Sequence, residues 1–172
     1  MKIGLIIPAR FESTRFPGKP LALISGKPMI WHVWSRCILA IDPKDVYIAT
    51  ESTKIKDAAE LFGAKVIMTS SKCLTGTDRI AEANQQLDYD FVINVQGDEP
   101  LIDPDLVSVI KNAALHDQSK VLNLMTRILD TADFVNLSIP KVVFDSSHHL
   151  LYMSRASIPV TKDSKLIEAY RQ

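Results

Sequence analysis

A chain of 172 residues is long enough for one domain with a substantial buried core. Hydrophobic residues at 47% and charged residues at 23% are ordinary for a soluble globular protein. Lysine plus arginine number 20 and aspartate plus glutamate 20, so the basic excess of a nucleic-acid binder is missing and any anion site must be local.

The opening Met1-Lys2-Ile3-Gly4-Leu5-Ile6-Ile7-Pro8 has too short an apolar run for a signal peptide or a membrane span. Met1 is therefore expected to be a true start, and the protein to be cytoplasmic without membrane insertion. Ile3 to Ile7, closed by Pro8, reads as a buried strand. Pro28 to Ala40 reads as a helix, with Met29, Val33 and Cys37 on one stripe and Ile30, Trp34 and Ile38 beside it. Val46 to Thr50 is a second strand. Ser52 is placed to cap a helix with Ile55, Ala58, Ala59 and Phe62 on its apolar face, ending at Gly63. Lys65 to Thr69 is a third strand.

Thr77 or Asp78 is the expected cap of a helix carrying Ile80, Ala83 and Leu87, followed by a fourth strand from Phe91 to Val95. Asp103 before Pro104 pairs a cap with a proline in the first turn, opening a helix with Leu106, Ile110 and Ala114 inward. Further apolar runs cover Val121 to Ile128, Lys141 to Phe144 and Leu150 to Met153. The last two, joined through Asp145 to His148, read as a hairpin. Met29, Met68, Met125 and Met153 lie in apolar runs and are expected in the core. Alternating strands and helices with buried strands specify an α/β fold, a mostly parallel central sheet with helices on both faces. In such sheets ligands gather beyond the carboxyl ends of the strands, here just after Ile7, Thr50, Thr69 and Val95.

Cys37 and Cys73 stand far apart, without a CxxC or Cys/His cluster, which fits a reducing compartment and argues against zinc or a disulfide framework. After the first strand, Pro8 to Pro20 brings Arg10, Arg15 and Lys19 together with Pro17 and Gly18. Guanidinium forks and a mobile ammonium in a loop shaped by glycine and proline suit a polyphosphate, although a solvated surface loop has the same composition. GxxxxGK[ST] and GxGxxG are both missing, so neither a P-loop nor a dinucleotide site is supported. Asn94-Val95-Gln96-Gly97-Asp98-Glu99-Pro100 places a carboxylate at a strand end, suited to Mg2+ shared with substrate phosphates or to a plain turn feeding the Asp103 cap. Ser70 to Arg79 offers small hydroxylated residues around Gly76 before a helix, for an anion, a base or simple capping. His148 and His149 read as an exposed turn, and His32 as a helix-face residue.

Taken in order, these segments resemble the sugar-acid cytidylyltransferases. Ile6-Ile7-Pro8-Ala9-Arg10 through Ser13-x-Arg15-x-Pro17-Gly18-Lys19-Pro20-Leu21 is similar to their signature loop, and Gly26-Lys27-Pro28-Met29-Ile30 continues it. Thr75-Gly76-Thr77-Asp78-Arg79 resembles their SGTDR-like loop, and the stretch from Asn94 to Pro100 is similar to that of the 3-deoxy-manno-octulosonate (Kdo) cytidylyltransferase family. Lys141 to Asp145 and Tyr152 to Pro159 resemble later family segments. Cys73 stands where relatives carry histidine, and Asn136-Leu137-Ser138-Ile139-Pro140 departs from the commoner family wording before Lys141.

The resemblance implies a Rossmann-like nucleotidyltransferase fold and transfer of CMP from CTP to the anomeric hydroxyl of Kdo or a close analogue. CMP-sugar and pyrophosphate would be the products, in the service of lipopolysaccharide synthesis. Arg10, Ser13, Arg15 and Lys19 would hold the triphosphate, with Arg10, Lys19 and Asp98 in catalytic roles. Thr75, Gly76 and Thr77 would lie near the nucleoside, Gln96, Lys141 and Arg155 would bind substrate, and Asp98 would bind the Mg2+ cofactor. An acylneuraminate-type cytidylyltransferase and a non-catalytic nucleotide-binding remnant are the alternatives. The expected organisation is a single domain over 1–172, with a nucleotide-binding core at 1–120 and the start of a sugar-binding and dimerisation portion at 121–172. Family members run on past this point, so a shortened chain is expected, the longer form being a homodimer.

Overall fold

Strand β1 (Ile3–Pro8) sits at the centre of the sheet, and its composition follows from that place. Leu5, Ile6 and Ile7 are fully buried, each worth about 1.5–3 kcal/mol relative to exposure. The computed structural model describes residues 1–12, 16–117 and 121–160. β1 is followed by a short antiparallel pair, β2 (Leu23–Ile24) and β3 (Lys27–Pro28), which leads into α1 (Met29–Cys37). Then come β4 (Val46–Thr50), α2 (Thr53–Leu61), β5 (Lys65–Met68), α3 (Gly76–Leu87), β6 (Phe91–Asn94) and α4 (Pro104–His116). The sheet order is β5-β4-β1-β6, every pairing parallel.

Alternation along β1 divides the core. Leu5 and Ile7 join Ile30 and Val33 of α1, Ile55 and Ala59 of α2 and Val107 of α4 on one face. Ile6 points to the other, against Ile80 and Ala83 of α3. Helices thus cover both faces, and the inner strands β1 and β4 are buried for the reason their apolar runs implied, while β5 at the edge is only half-buried. The chain first builds outward from β1 to β4 and β5, then returns to place β6 on the opposite side of β1. Such a reversal opens a crevice at the carboxyl ends of the two strands where it occurs.

Several details depart from the sequence reading. α3 is capped by Thr75, not by Thr77 or Asp78: the Thr75 hydroxyl accepts from the Asp78 N–H, and the Asp78 carboxylate accepts from the Thr75 N–H at 2.8 Å. Asp78 is therefore the third residue of a capping box. Ser52 occupies the N-cap of α2, but its hydroxyl makes no capping bond. In α4 Asp103 caps as expected, accepting from Asp105 N–H, yet Val107 is buried while Leu106 is exposed. The run Val121 to Ile128 forms no strand: apolar residues alone do not supply a neighbour for the ladder, and Val121, Leu124 and Met125 are exposed. Met68, Met125 and Met153 are also exposed, so the thioethers there do not fill the core.

The chain divides into two compact units, Met1–Asn123 and Leu124–Gln172. Within the second, Asp130 caps the short helix α5 (Thr131–Val135). Strands β7 (Lys141–Phe144) and β8 (Leu150–Ser154) form the expected antiparallel hairpin. Its turn is held by the Asp145 carboxylate, which accepts from the N–H groups of Ser147 and His149. His148 adopts a left-handed φ of 64° there, and both histidines belong to this turn. No described helix is long and apolar enough to cross a membrane.

Candidate active site

Parallel strands put their carboxyl ends on one rim, and the loops after β1, β5 and β6 enclose a cleft of about 650 Å3 there. The first loop supplies Pro8, Ala9, Arg10, Phe16, Lys19 and Pro20. The second supplies Cys73, Leu74, Thr75, Gly76 and, from α3, Arg79; the third supplies Gln96, Gly97 and Asp98. The crevice expected from the strand reversal is therefore where the candidate residues gather.

Lys19 and Asp98 come from loops separated by most of the sheet's sequence, yet the Lys19 Nζ donates to Asp98 Oδ2 at 2.7 Å. Register explains the meeting. β1 and β6 are neighbours, with Ile6 opposite Asn94, so the residues that follow them emerge together. Gly97 makes the approach possible: a Cβ there would stand 2.7 Å from the Pro8 carbonyl oxygen. The expected clearance at this glycine is thus needed against the protein's own backbone. Gly18 sits at the other end of the phosphate-type loop with φ of 71°, a left-handed conformation that glycine tolerates without steric cost.

The two side chains of the Lys19–Asp98 pair are 38% and 54% exposed. An ion pair this open is worth about 0.2–1 kcal/mol, so either partner can be transferred to a ligand at little cost. Arg10 lines the same cleft, and among the described residues it makes no ion pair. Glu99, beside Asp98, has its carboxyl pushed up, first by burial and then by the neighbouring negative charge. Burial, with Glu99 as the lesser cause, pushes the core thiol of Cys37 up to about 12.

On the α3 side, Thr75 and Gly76 reach the cleft at a helix N-terminus, whereas Thr77 is exposed and not part of the cleft wall. Gln96 lines the cleft and donates from Nε2 to Asn94 Oδ1 at 3.0 Å. Cys73 donates its thiol to Glu82 at 3.1 Å, and Glu82 also accepts from the Ser70 N–H at 2.6 Å. These bonds, the Cys73 one foremost, hold the Glu82 carboxyl below the usual range, while burial and then Glu82 push the thiol up. Ser13 and Arg15 lie outside the described residues.

Lys141 and Arg155 belong to the second unit. The Lys141 ammonium donates to the carbonyls of Asn136 at 2.5 Å, Ile139 at 2.9 Å and Arg155 at 3.0 Å. An ammonium has three N–H donors, so in this arrangement none is left for a ligand. Arg155 donates from one terminal nitrogen to the carbonyls of Leu137 and Ser138. His32 is bonded through Nε2 to the Ile24 carbonyl at 2.8 Å, a brace for the turn after β2.

Sequence reasoning singled out Lys19, Asp98, Gln96, Thr75 and Gly76, which line one cleft, and passed over Glu51 and the role of Arg79. Arg79 was visible as the last residue of the Thr75 to Arg79 motif. Glu51 directly follows β4 at the ligand-side rim, so the strand-end rule applied once more would have marked it.

A family described as cytidylyltransferase matches residues 5–171. The 8-amino-3,8-dideoxy-manno-octulosonate cytidylyltransferase of Shewanella pealeana is 48% identical over 178 aligned positions, covering 99% of this chain and 72% of that protein. The protein of the same description from Shewanella halifaxensis is 46% identical with the same coverage. Among solved structures, CMP:2-keto-3-deoxy-manno-octonic acid synthetase complexed with CTP matches with a TM-score of 0.84 at 34% identity, covering 96% of this chain and 68% of that one. A cytidylyltransferase from Leptospira borgpetersenii matches with a TM-score of 0.62 at 26% identity, over 70% of this chain and 52% of that one.

Proposed function

The chain belongs to the cytidylyltransferase family of nucleotidyltransferases, and from that premise we propose that it transfers the cytidylyl group of CTP to the anomeric hydroxyl of a Kdo-type acidic sugar. The 8-amino-3,8-dideoxy form is the first choice among such sugars, because the relatives at 48% and 46% identity carry that sugar in their names. The observation that carries the reading is the meeting of Lys19 and Asp98 at 2.7 Å on the rim of the cleft. A polyphosphate with its counter-cation needs both signs of charge within one small space, each with an exchangeable partner.

In the proposed reaction the anomeric hydroxyl gives up its proton to solvent as its oxygen forms a bond to the α-phosphorus, the bond from that phosphorus to the oxygen bridging to the β-phosphate breaks, and pyrophosphate departs. Catalysis of this kind rests on positioning and on neutralising charge. Arg10 and Lys19 offset charge on the departing phosphates, and the family resemblance adds Ser13 and Arg15 to that group. Thr75 and Gly76 present the N-terminus of α3 to the nucleoside side of the cleft. Gln96, beside Asp98, is assigned to the sugar.

The donor set fits Mg2+. Among the described residues no group of three or more histidine, cysteine, aspartate or glutamate side chains forms a protein cage, while one half-exposed carboxylate faces the cleft. That is the arrangement Mg2+ takes when substrate phosphates supply the remaining ligands. Asp98 would hold it, and when bound it supplies charge neutralisation on the phosphates. Lys19 would leave Asp98 for the phosphate as the nucleotide enters.

Pyrophosphate release in the presence of CTP and Mg2+ tests the reading, with Kdo, its 8-amino-3,8-dideoxy analogue and neuraminic acid compared as acceptors. The expected order places the 8-amino sugar first. Preference for neuraminic acid would move the chain to the acylneuraminate branch, and CTP binding without turnover on any sugar would support a non-catalytic role for these residues.

A further inference from the structure

The loops after β1, β4 and β5 are tied together by a buried ion pair that contains none of the residues assigned to substrate. Glu51, next after β4, has Oε2 2.8 Å from the Arg79 guanidinium, with the side chains 15% and 5% exposed. Arg79 also donates to the Thr69 hydroxyl at 2.5 Å, beyond the end of β5. The second oxygen of Glu51 accepts from the Phe11 N–H at 2.9 Å. The Phe11 carbonyl in turn accepts from the Gly18 N–H at 2.8 Å, closing the neck of a loop between these two residues. Lys54 places its ammonium 4.7 Å from the Phe11 ring centre, a second brace on the same residue.

We propose that Glu51 is a positioning residue: it references the neck of the β1 loop, and with it Arg10 and Lys19 on either side, to the α3 helix that bears Arg79. The inference rests on the reading of the cleft as a CTP site. The neck residues Phe11 and Gly18 flank the loop, Arg10 and Lys19 are their immediate neighbours, and Arg79 itself lines the cleft. The geometry therefore runs from the nucleoside side to the phosphate side through Arg79, Glu51 and Phe11. A displacement of about 1 Å at the phosphate cations is enough to weaken binding or turnover severely.

Two substitutions separate this role from general stability. Glu51→Gln keeps one acceptor, which the Arg79 cation draws, leaving the Phe11 N–H facing an amide donor. Thr69→Val perturbs the same buried network on the side away from the neck. In nucleotide-free protein, amide exchange at Phe11 and Gly18 is expected to rise tenfold or more in Glu51→Gln and less than twofold in Thr69→Val. The Kd for CTP, measured well below each variant's melting midpoint, should rise about tenfold in the first and less than twofold in the second. Lys54→Ala, at an exposed position, should shift both readouts two- to threefold in the same direction, and it decides the matter if Glu51→Gln does not fold. Unchanged exchange, or equal losses of CTP affinity in Glu51→Gln and Thr69→Val, overturns the positioning role while leaving the cleft reading intact. Failure of the unmodified chain to bind CTP sinks the cleft reading instead, while the exchange measurement, made without nucleotide, still tests the bracing of the neck by Glu51.

Discussion

Lys19 in the first unit and Lys141 in the second carry the same ammonium group in opposite circumstances. Lys19 is 38% exposed, and among the described residues its ammonium has one partner, a carboxylate that is itself more than half exposed. Lys141 is 3% exposed and spends three donors on backbone carbonyls of Asn136, Ile139 and Arg155. A cation whose only partner is weakly held can move to an incoming anion, whereas one whose donors are filled by the main chain fastens that chain in place. Formal charge is alike for the two; burial and the number of satisfied donors tell them apart.

The widest separation between the two settings should appear in turnover. Asp98→Asn removes the charge expected to hold Mg2+ and should lower turnover on the order of 10²–10³-fold. The fold should lose less than about 1 kcal/mol, because the pair it breaks is exposed. Pyrophosphate release and a denaturant titration on the same sample measure both. A variant that lost stability and activity together would place Asp98 among structural carboxylates and erase the contrast with the second unit.

Lys141→Met should show the reverse signature. Methionine fills similar space but leaves three carbonyls without their donor, at a cost of about 2–3 kcal/mol after water reaches some of them. Amide exchange through Asn136 to Lys141 should accelerate, while affinity for CTP changes less than about twofold. Loss of CTP affinity with unchanged exchange would return Lys141 to the substrate and show that its carbonyl partners are exchangeable after all.

How far the sequence reaches depends on whether a feature is set by one segment or by two. The central strands, the apolar faces of α1, α2 and α3 and the Asp103 cap follow from local pattern and were readable, whereas on α4 it is Val107 and not Leu106 that turns inward. So was the rim on which Arg10, Lys19 and Asp98 would lie, because parallel strands share a direction. The cap of α3 lies two or three positions before the expected Thr77 or Asp78 for a local reason: Thr75, Thr77 and Asp78 can each cap, and only the reciprocal bond to Asp78 selects the first. The apolar run from Val121 to Ile128 forms no strand because a strand needs a partner, and partnership is not written in a single segment. Glu51 and Arg79 meet through the packing of α3 against the sheet, and the carbonyl set around Lys141 depends on how the chain folds back from Arg155. Charge and spacing announce neither.

The smallest expected effect lies inside the first unit, where Glu82 behaves in the manner of Lys141. It borders the cleft loop but is occupied internally by the Cys73 thiol and the Ser70 N–H. Those bonds hold its carboxyl below the ordinary glutamate range. A depressed acid contributes stability above its unfolded value, and that contribution disappears as the pH falls through the folded one. Cys73→Ala removes the larger cause, so the acid-unfolding midpoint, followed by circular dichroism, should move slightly toward higher pH. Cys73→Ser should restore it, since a hydroxyl can donate where the thiol did. If the alanine variant unfolds at the same pH as the parent, the thiol adds nothing to the Glu82 site. Glu82 is then held in this loop by the Ser70 N–H alone, closer to the exchangeable character of Lys19 than to the closed one of Lys141.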